Sequence, residues 1–221
     1  MKRVDKGIFT IWRHSTTRKT RPVEPIFGRQ TAMFRVRFFE PWIGKSYPRL
    51  LVLGESRYDE EYTDKKIIES LIRGDRIRTY TNFVQAVVGK RHWEEEYDQV
   101  AFWERTIFYN YLTNFFPGRP REAPPWDQRV DPQNQRILKS MLQTYKPTHC
   151  IVWGYDNWET IEVEAAEWGP EQPIPGLVDA HKYCSMDVEG NVTLFSYVVH
   201  PSTGFSYDRW RAVLSAFLSM K

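Results

Sequence analysis

Short apolar runs that end at a polar loop mark the strands that the sequence predicts. Arg49 to Gly54 reads RLLVLG and Lys146 to Gly154 reads KPTHCIVWG. Unbroken apolar runs of this length are typical of strands buried on both faces of a parallel sheet. Ile107 to Asn114, IFYNYLTN, predicts a further, aromatic-rich strand. The segments His181 to Met186 and Val192 to Val199 predict a hairpin that turns at Glu189-Gly190-Asn191.

Apolar residues at helical spacing lie between these strands. Ile67, Ile68, Leu71 and Ile72 form one apolar face in a helix from Lys65 to Arg73. Three further helices have a capping residue at their predicted starts, and a fourth is predicted from Asn157 to the break at Gly169-Pro170. The predicted caps are Asn82 for a helix ending near Val88, Asp131 before Pro132, and Ser206 before the last helix.

This alternation of strands and helices predicts an α/β fold with three layers, α/β/α, around a central, mostly parallel four-stranded sheet. The 221 residues are enough for one such domain, and residues 1–47 are expected to form an N-terminal extension packed on it. In such sheets ligands bind beyond the carboxyl ends of the strands. Polar motifs follow Leu53, Leu112 and Val199, so we expect them to converge on one site.

Composition restricts the chemistry that this site can perform. The net charge is only +3, so binding to nucleic acid has to depend on local clusters such as Arg13 to Pro22, RHSTTRKTRP. Cys150 and Cys184 have no CxxC spacing, and they offer no ligand set for zinc or an iron–sulfur cluster. With no apolar signal core and no membrane-spanning stretch, we expect a cytoplasmic monomer that contains no metal or other cofactor.

The polar motifs occur in an order that resembles the uracil-DNA glycosylase superfamily, over the range Arg49 to Phe217. Gly54 to Tyr58, GESRY, resembles the family's first motif, a loop that positions water and shapes the base pocket. Thr113-Asn114, followed by Arg119-Pro120, resembles the strand end whose asparagine reads the base edge. His200-Pro201-Ser202 resembles the second motif, the histidine loop that enters the minor groove. The segments KPTHCIVWG and RTYTNFVQAVV resemble the strand before the penultimate helix and the segment that supplies a base-stacking aromatic.

The resemblance implies roles for thirteen residues in three groups. The catalytic group is Glu55, Asn114 and His200. The base-binding group is Gly54, Ser56, Tyr58, the stacking residue Tyr80 and its second choice Phe83. The DNA-binding group is Arg119, Arg121, Ser202, Gly204 and the wedge candidate Phe205, which could equally anchor the last helix.

Two departures separate the chain from the family pattern. Ser56 stands where members with a strong water-activating carboxylate have aspartate, whereas Glu55 matches a glutamate of the thermostable iron–sulfur branch. The cluster cysteines of that branch are missing. The resemblance therefore implies a divergent DNA glycosylase, without lyase activity, that hydrolyses the bond between a sugar and a flipped uracil-like or modified pyrimidine base.

Several alternatives stay open at this point. Either Glu55 or Asp59 could position the water, and the DNA could be duplex or single-stranded. The biological role could be base-excision repair or antiviral defence against DNA with modified cytosine. A non-catalytic nucleic-acid-binding module of the same fold is the runner-up. A small-molecule hydrolase or nucleotide-binding enzyme is disfavoured because GxSxG, GxxxxGK[ST] and GxGxxG motifs are absent from the sequence.

Overall fold

A computed structural model of the chain describes residues 40–46, 49–56, 63–112, 124–164, 168–177 and 181–221. These residues include a seven-stranded mixed sheet with the order β1-β3-β2-β4-β7-β6-β5. The strands are β1 (Trp42–Ile43), β2 (Leu50–Gly54), β3 (Thr106–Asn110), β4 (His149–Trp153), β5 (Gln172–Pro173), β6 (Lys182–Val188) and β7 (Asn191–Val198). The four strands β3, β2, β4 and β7 are parallel.

The prediction of an α/β fold is confirmed, but the prediction of four strands is wrong. Three more strands extend the parallel centre, and each pairs antiparallel with its neighbour: β1 with β3, β6 with β7, and β5 with β6. β1 and β5 have two residues each, too few to show an alternating pattern in the sequence. The predicted hairpin is confirmed as β6 and β7, and both turn residues, Glu189 and Gly190, have the positive φ that a two-residue turn requires.

Seven helices are present in the described residues. They are α1 (Asp64–Ile72), α2 (Arg78–Val88), α3 (Gln99–Trp103), α4 (Trp126–Arg129), α5 (Pro132–Tyr145), α6 (Tyr155–Glu164) and α7 (Tyr207–Leu218). α5 and α6 pack with Leu51 and Leu53 in one buried cluster. α1, α2, α3 and α7 pack with Val52 in the other. Because successive residues of a strand point to opposite faces, these clusters show that helices cover both faces of the sheet.

Two of the three predicted helix caps are confirmed. The Asp131 side chain accepts a hydrogen bond from Gln133 N (2.9 Å), and the Ser206 side chain accepts one from Arg209 N (3.5 Å). The third is wrong, since α2 begins at Arg78 and Asn82 lies inside it. The Asn82 Nδ2 instead donates to the carbonyl oxygen of Pro201 (3.0 Å), so this residue ties α2 to the loop after β7.

Candidate functional site

The connections between the parallel strands create a crevice at their carboxyl ends. The next strand of the chain after β2 is β3, which lies on one side of β2 in the sheet, whereas the strands that come after β4, namely β5, β6 and β7, lie on the other side of β4. The chain therefore leaves β2 and β4 in opposite directions, which opens the space above the two strand ends. Glu55 and Ser56 follow β2 directly, and Gly154 follows β4. In sheets of this kind ligands commonly bind at such a position.

Gly54 ends β2 in close contact with the end of β3. A Cβ atom on Gly54 would lie 2.2 Å from the Asn110 Oδ1, so no larger residue fits without displacing that side chain. Beyond the strands the two chains remain paired, because Tyr111 N donates to the Gly54 carbonyl (2.9 Å) and Leu112 N donates to the Glu55 carbonyl (3.0 Å). The backbone of Glu55 is thus fixed by the segment that follows β3.

A buried carboxyl group fixes the end of β3. Asp64, at the start of α1, has no exposed surface and accepts hydrogen bonds from Asn110 N (3.0 Å) and Asn110 Nδ2 (2.6 Å). The strand predicted to run to Asn114 ends at Asn110. The asparagine at the end of this strand is therefore Asn110, a residue that the sequence interpretation missed.

Arg129 connects three segments around the crevice. Its side chain is 4% exposed, and its Nη2 donates to Glu55 Oε1 (2.7 Å) and lies 3.4 Å from Asp156 Oδ2 at the start of α6. Its Nε donates to the carbonyl oxygen of Pro124 (3.1 Å). A carboxylate bonded to a buried guanidinium has a fixed position and direction. Glu55 is therefore a fixed group at the strand end.

Asn157 bridges the ends of β2 and β4. It is fully buried, and its Nδ2 donates to the carbonyl oxygens of Trp153 (3.0 Å) and Gly54 (3.3 Å). Within the described residues, its Oδ1 and the buried Oγ of Ser56 have no hydrogen-bond partner. The sequence interpretation also missed Asn157 and Arg129, although both stand directly after predicted strands or loops where polar residues are expected to face the site.

His200 lies in the loop that follows β7, on the far side of β4 from β2. Its ring is 6.0 Å from the ring of Trp153, the last residue of β4. Burial lowers the pKa of His200, and the negative charge of Glu55 partly opposes this shift. Glu55 and His200 thus both lie beyond the carboxyl ends of the parallel strands, on either side of β4.

The hydrogen bonds of His200 define where its proton is. Nδ1 lies 2.7 Å from Ser202 Oγ and accepts a weaker bond from Ser202 N (3.4 Å). Because a backbone N–H can only donate, Nδ1 has to be the acceptor, and the proton of the neutral ring is then on Nε2. The neutral form is the one that the lowered pKa favours. His200 can thus donate from Nε2 at neutral pH.

Burial of histidines predicts that the protein is less stable in mild acid. It lowers the pKa of His149, His181 and His200 below the ordinary value of 6.5. Below about pH 6.5 the unfolded chain binds protons that the folded chain does not, so the free energy of unfolding decreases as pH falls. In urea denaturation, the urea concentration at the midpoint should decrease as the pH is lowered from about 7.5 to about 5.5. A midpoint that does not change with pH would contradict the lowered histidine pKa values.

Three aromatic residues assigned to DNA contacts lie in or against the core. Phe83 has no exposed surface and packs edge-on against Phe102 and Trp153, so it presents no ring face to a base. Tyr80 is 9% exposed and contacts Trp153 at 5.3 Å. Phe205 is half-buried and stacked on Trp210 (6.0 Å, 21° between planes), the arrangement expected of an anchor for α7. The loop instead exposes Ser202 and Gly204, of which Gly204 has a positive φ of 64°.

Some predicted site residues lie outside the described residues: Tyr58, Asp59, Asn114, Arg119, Arg121 and the basic segment Arg13 to Pro22. Among the described ones, Glu55 and Ser56 follow β2 and His200 follows β7, so both segments lie at the carboxyl ends of the parallel strands. The meeting of all three segments around one cavity stays a prediction.

Comparison with known proteins adds no relative of this chain: no protein-family model matches it, and no curated protein does. Within the described ranges, no helix has both the length and the apolar character needed to cross a membrane. Function therefore has to be inferred from the residues at the strand ends.

Proposed function

We propose that the protein is a DNA glycosylase that hydrolyses the bond between deoxyribose and an extruded uracil-like or modified pyrimidine base. The observation that carries this proposal is the placement of two residues beyond the carboxyl ends of the parallel strands: Glu55, held by Arg129 after β2, and His200, packed on Trp153 at the end of β4. The proposal includes a fold of the uracil-DNA glycosylase type and action in the cytoplasm on DNA. The fold and the action on DNA rest on the resemblance of the GESRY and HPS segments to that superfamily. The cytoplasmic location rests on Cys150 and Cys184, whose number and spacing predict no disulfide framework.

Cleavage of a base–sugar bond needs two opposite electrostatic partners, because positive charge develops on the sugar and negative charge on the departing base. A neutral His200 with its proton on Nε2 is suited to donate a hydrogen bond to the departing base oxygen. Glu55 supplies negative charge on the other side of the crevice. The two residues thus have the complementary roles that the reaction requires.

The bond from Arg129 to Glu55 favours one role of the carboxylate over another. A general base has to exchange a proton with water, and its lone pairs have to be accessible. Glu55 Oε1 instead accepts from Arg129 Nη2 at 2.7 Å. A carboxylate fixed in this way is better suited to stabilise the cationic sugar and to orient water than to deprotonate it.

Two asparagines could read the base edge. Asn114 has this role in the resemblance, and it follows Leu112, whose N–H bonds to Glu55 O, by only two residues. Two residues of chain span at most about 7 Å. Asn110 is the residue at the end of β3, but its N and Nδ2 already donate to Asp64. Asn114 therefore remains our assignment, with Asn110 as the residue that holds the strand end in place.

A non-catalytic nucleic-acid-binding module remains the second candidate. The observation that favours it is the same ion pair, because Arg129 occupies Glu55 Oε1. In addition, Ser56 stands where other members of the superfamily have the aspartate that activates water. Such a module would bind DNA in the crevice and leave every base attached.

A base-release assay tests the proposal. Single-stranded and duplex oligonucleotides with uracil, hypoxanthine or modified cytosines are incubated with the protein, and abasic sites are then cleaved with alkali. We expect strand breaks with at least one pyrimidine substrate and a large loss of them in Glu55→Gln and Asn114→Ala variants. Binding without breaks on every substrate would favour the module. A DNA adduct trapped by borohydride would contradict a purely hydrolytic mechanism.

A further inference from the structure

The loop after β7 has no apolar side chain at its tip. Its exposed residues are Ser202, Thr203 and Gly204, all small or polar. The one large apolar side chain of this loop, Phe205, is stacked on Trp210 and belongs to the contacts that fix α7. Proteins that open a duplex commonly insert an apolar side chain between base pairs. As far as the described residues go, this loop provides none.

The loop is also held in place. Asn82 Nδ2 donates to Pro201 O at 3.0 Å, and Thr203 N donates to His200 O at 3.1 Å. These bonds fix the backbone at His200 and Pro201, and the stacking on Trp210 holds Phe205 against α7. The cost of extruding a base from a duplex, a few kcal/mol, is lowest when the base is already unpaired.

Exposed aromatic rings occur on segments near the carboxyl ends of the parallel strands. Among the described residues, the exposed Trp and Tyr side chains are Trp93 (69%), Trp126 (55%) and Tyr155 (44%). Trp126 precedes Arg129 by one helical turn, and Arg129 bonds to Glu55. Tyr155 directly follows the glycine at the end of β4, and its ring is held edge-on against Tyr197 at 5.1 Å.

Trp93 lies near the start of α7, which packs on the face of the sheet opposite to α5 and α6. The Arg91 guanidinium lies 3.6 Å from the ring centroid of Tyr207 and 5.8 Å from that of Trp93. Tyr207 begins α7 directly after the His200 loop. The same guanidinium lies 3.6 Å from Asp208 Oδ1, so Arg91 is held near the start of α7. Exposed aromatic rings therefore occur on segments next to Arg129, to the end of β4 and to the start of α7.

We infer that the substrate of this site is single-stranded DNA, whose unpaired bases on either side of the target stack on Trp126, Tyr155 and Trp93. This inference rests on the proposed function and names the strand form on which it acts. Stacking on aromatic side chains tolerates any sequence, because every base has a π face. The target base enters the crevice without displacement of a partner base, so no wedge is needed.

The first test is binding, which does not depend on catalysis. Fluorescence anisotropy with a labelled oligonucleotide of fixed sequence, single-stranded or annealed to its complement, should show tighter binding of the single strand. Trp126→Ala and Tyr155→Ala should each weaken single-strand binding by about 5- to 100-fold, the range typical for loss of one stacked base. Trp126→Phe and Tyr155→Phe should retain most of it.

A matched control is Val192→Ala, because Val192 is 55% exposed and lies at the amino end of β7, away from the proposed site at the carboxyl ends. It should leave binding unchanged. Equal or tighter binding of the duplex, or alanine variants that bind like the wild type, would overturn the inference.

The second test separates this inference from the proposed function. Base release is compared for one target base in a single strand, in a duplex and in an unpaired bulge of the duplex. We expect the single strand and the bulge to be cleaved at least about tenfold faster than the duplex, in line with the cost of extrusion. Faster release from the duplex would contradict the inference of a single-stranded substrate but would agree with the proposed glycosylase function. Absence of release in every form, with single-strand binding that still depends on Trp126, would sink the glycosylase alone.

Discussion

Base release is expected to slow by about 10²–10³-fold when His200 is replaced by alanine, the loss typical of one preorganised hydrogen-bond donor to a developing negative charge. The reason is specific to this ring, whose Nδ1 accepts from Ser202 and whose Nε2 is then left to donate. Single-turnover kinetics with saturating enzyme measures the chemical step. The decrease should appear in the maximal rate, while DNA affinity changes little.

A control histidine is available at the amino ends of the parallel strands, away from the proposed site. His149 begins β4, is also partly buried, and packs edge-on against Phe217 at 5.2 Å. His149→Ala should reduce thermal stability and leave the single-turnover rate of the folded protein unchanged. If both alanine variants lose the same activity, the effect of His200→Ala is one of folding, and the assignment of His200 as a donor fails.

Loss of the Asp64 carboxyl group is expected to produce the largest change in stability. Asp64→Ala removes the acceptor of both Asn110 N and Asn110 Nδ2 and leaves these buried donors unsatisfied. Each unsatisfied buried donor costs about 1–3 kcal/mol, so the free energy of unfolding should fall by about 2–6 kcal/mol. Urea denaturation monitored by tryptophan fluorescence measures this change.

Asp98→Ala calibrates the Asp64 result. Asp98 is exposed and caps α3, where its Oδ1 accepts from Ala101 N at 2.8 Å. Loss of such a cap costs about 1 kcal/mol. An Asp64→Ala variant no less stable than Asp98→Ala would show that the Asp64–Asn110 contact contributes little, and that another contact holds the end of β3.

The predictions for His200 and Asp64 concern different residues at the carboxyl ends of the same parallel strands. His200 acts on the reacting base, whereas Asp64 holds Asn110 against Gly54 and so determines where Glu55 begins. A change at Asp64 in a protein that still folds should therefore reduce activity through the position of Glu55. Arg129 and Asn157 act on the same strand end from the other side, because they bond to Glu55 and to the Gly54 carbonyl.

Local patterns were sufficient where one segment buries one face or caps its own end. RLLVLG and KPTHCIVWG predicted β2 and β4, and Asp131-Pro132 and Ser206 predicted the starts of α5 and α7. The Glu189-Gly190 turn likewise predicted the hairpin. Such features depend on neighbours within a few residues, so the sequence contains all the information that they need.

Patterns failed where distant segments compete for the same residue. Asn82 has the sequence character of a cap, but a longer helix incorporates it and the Pro201 carbonyl takes its side chain. For Phe205 the sequence left two roles open, a wedge or an anchor of the last helix, and its stacking on Trp210 favours the anchor. Asn114 was expected to end β3, but pairing with β2 ends at Asn110, opposite Gly54.

The sequence by itself determined an α/β chain of alternating strands and helices, and it marked Glu55, Ser56 and His200 as polar residues beyond strand ends. Only the tertiary structure decided that the sheet has seven strands, that Arg129 bonds to Glu55, and that Phe83 and Phe205 belong to the packing of the molecule. The physical reason is the separation along the chain between the residues that interact. Hydrophobic periodicity and capping act over a few residues, whereas ion pairs, edge strands and aromatic packing join residues up to about a hundred positions apart, which no local pattern specifies.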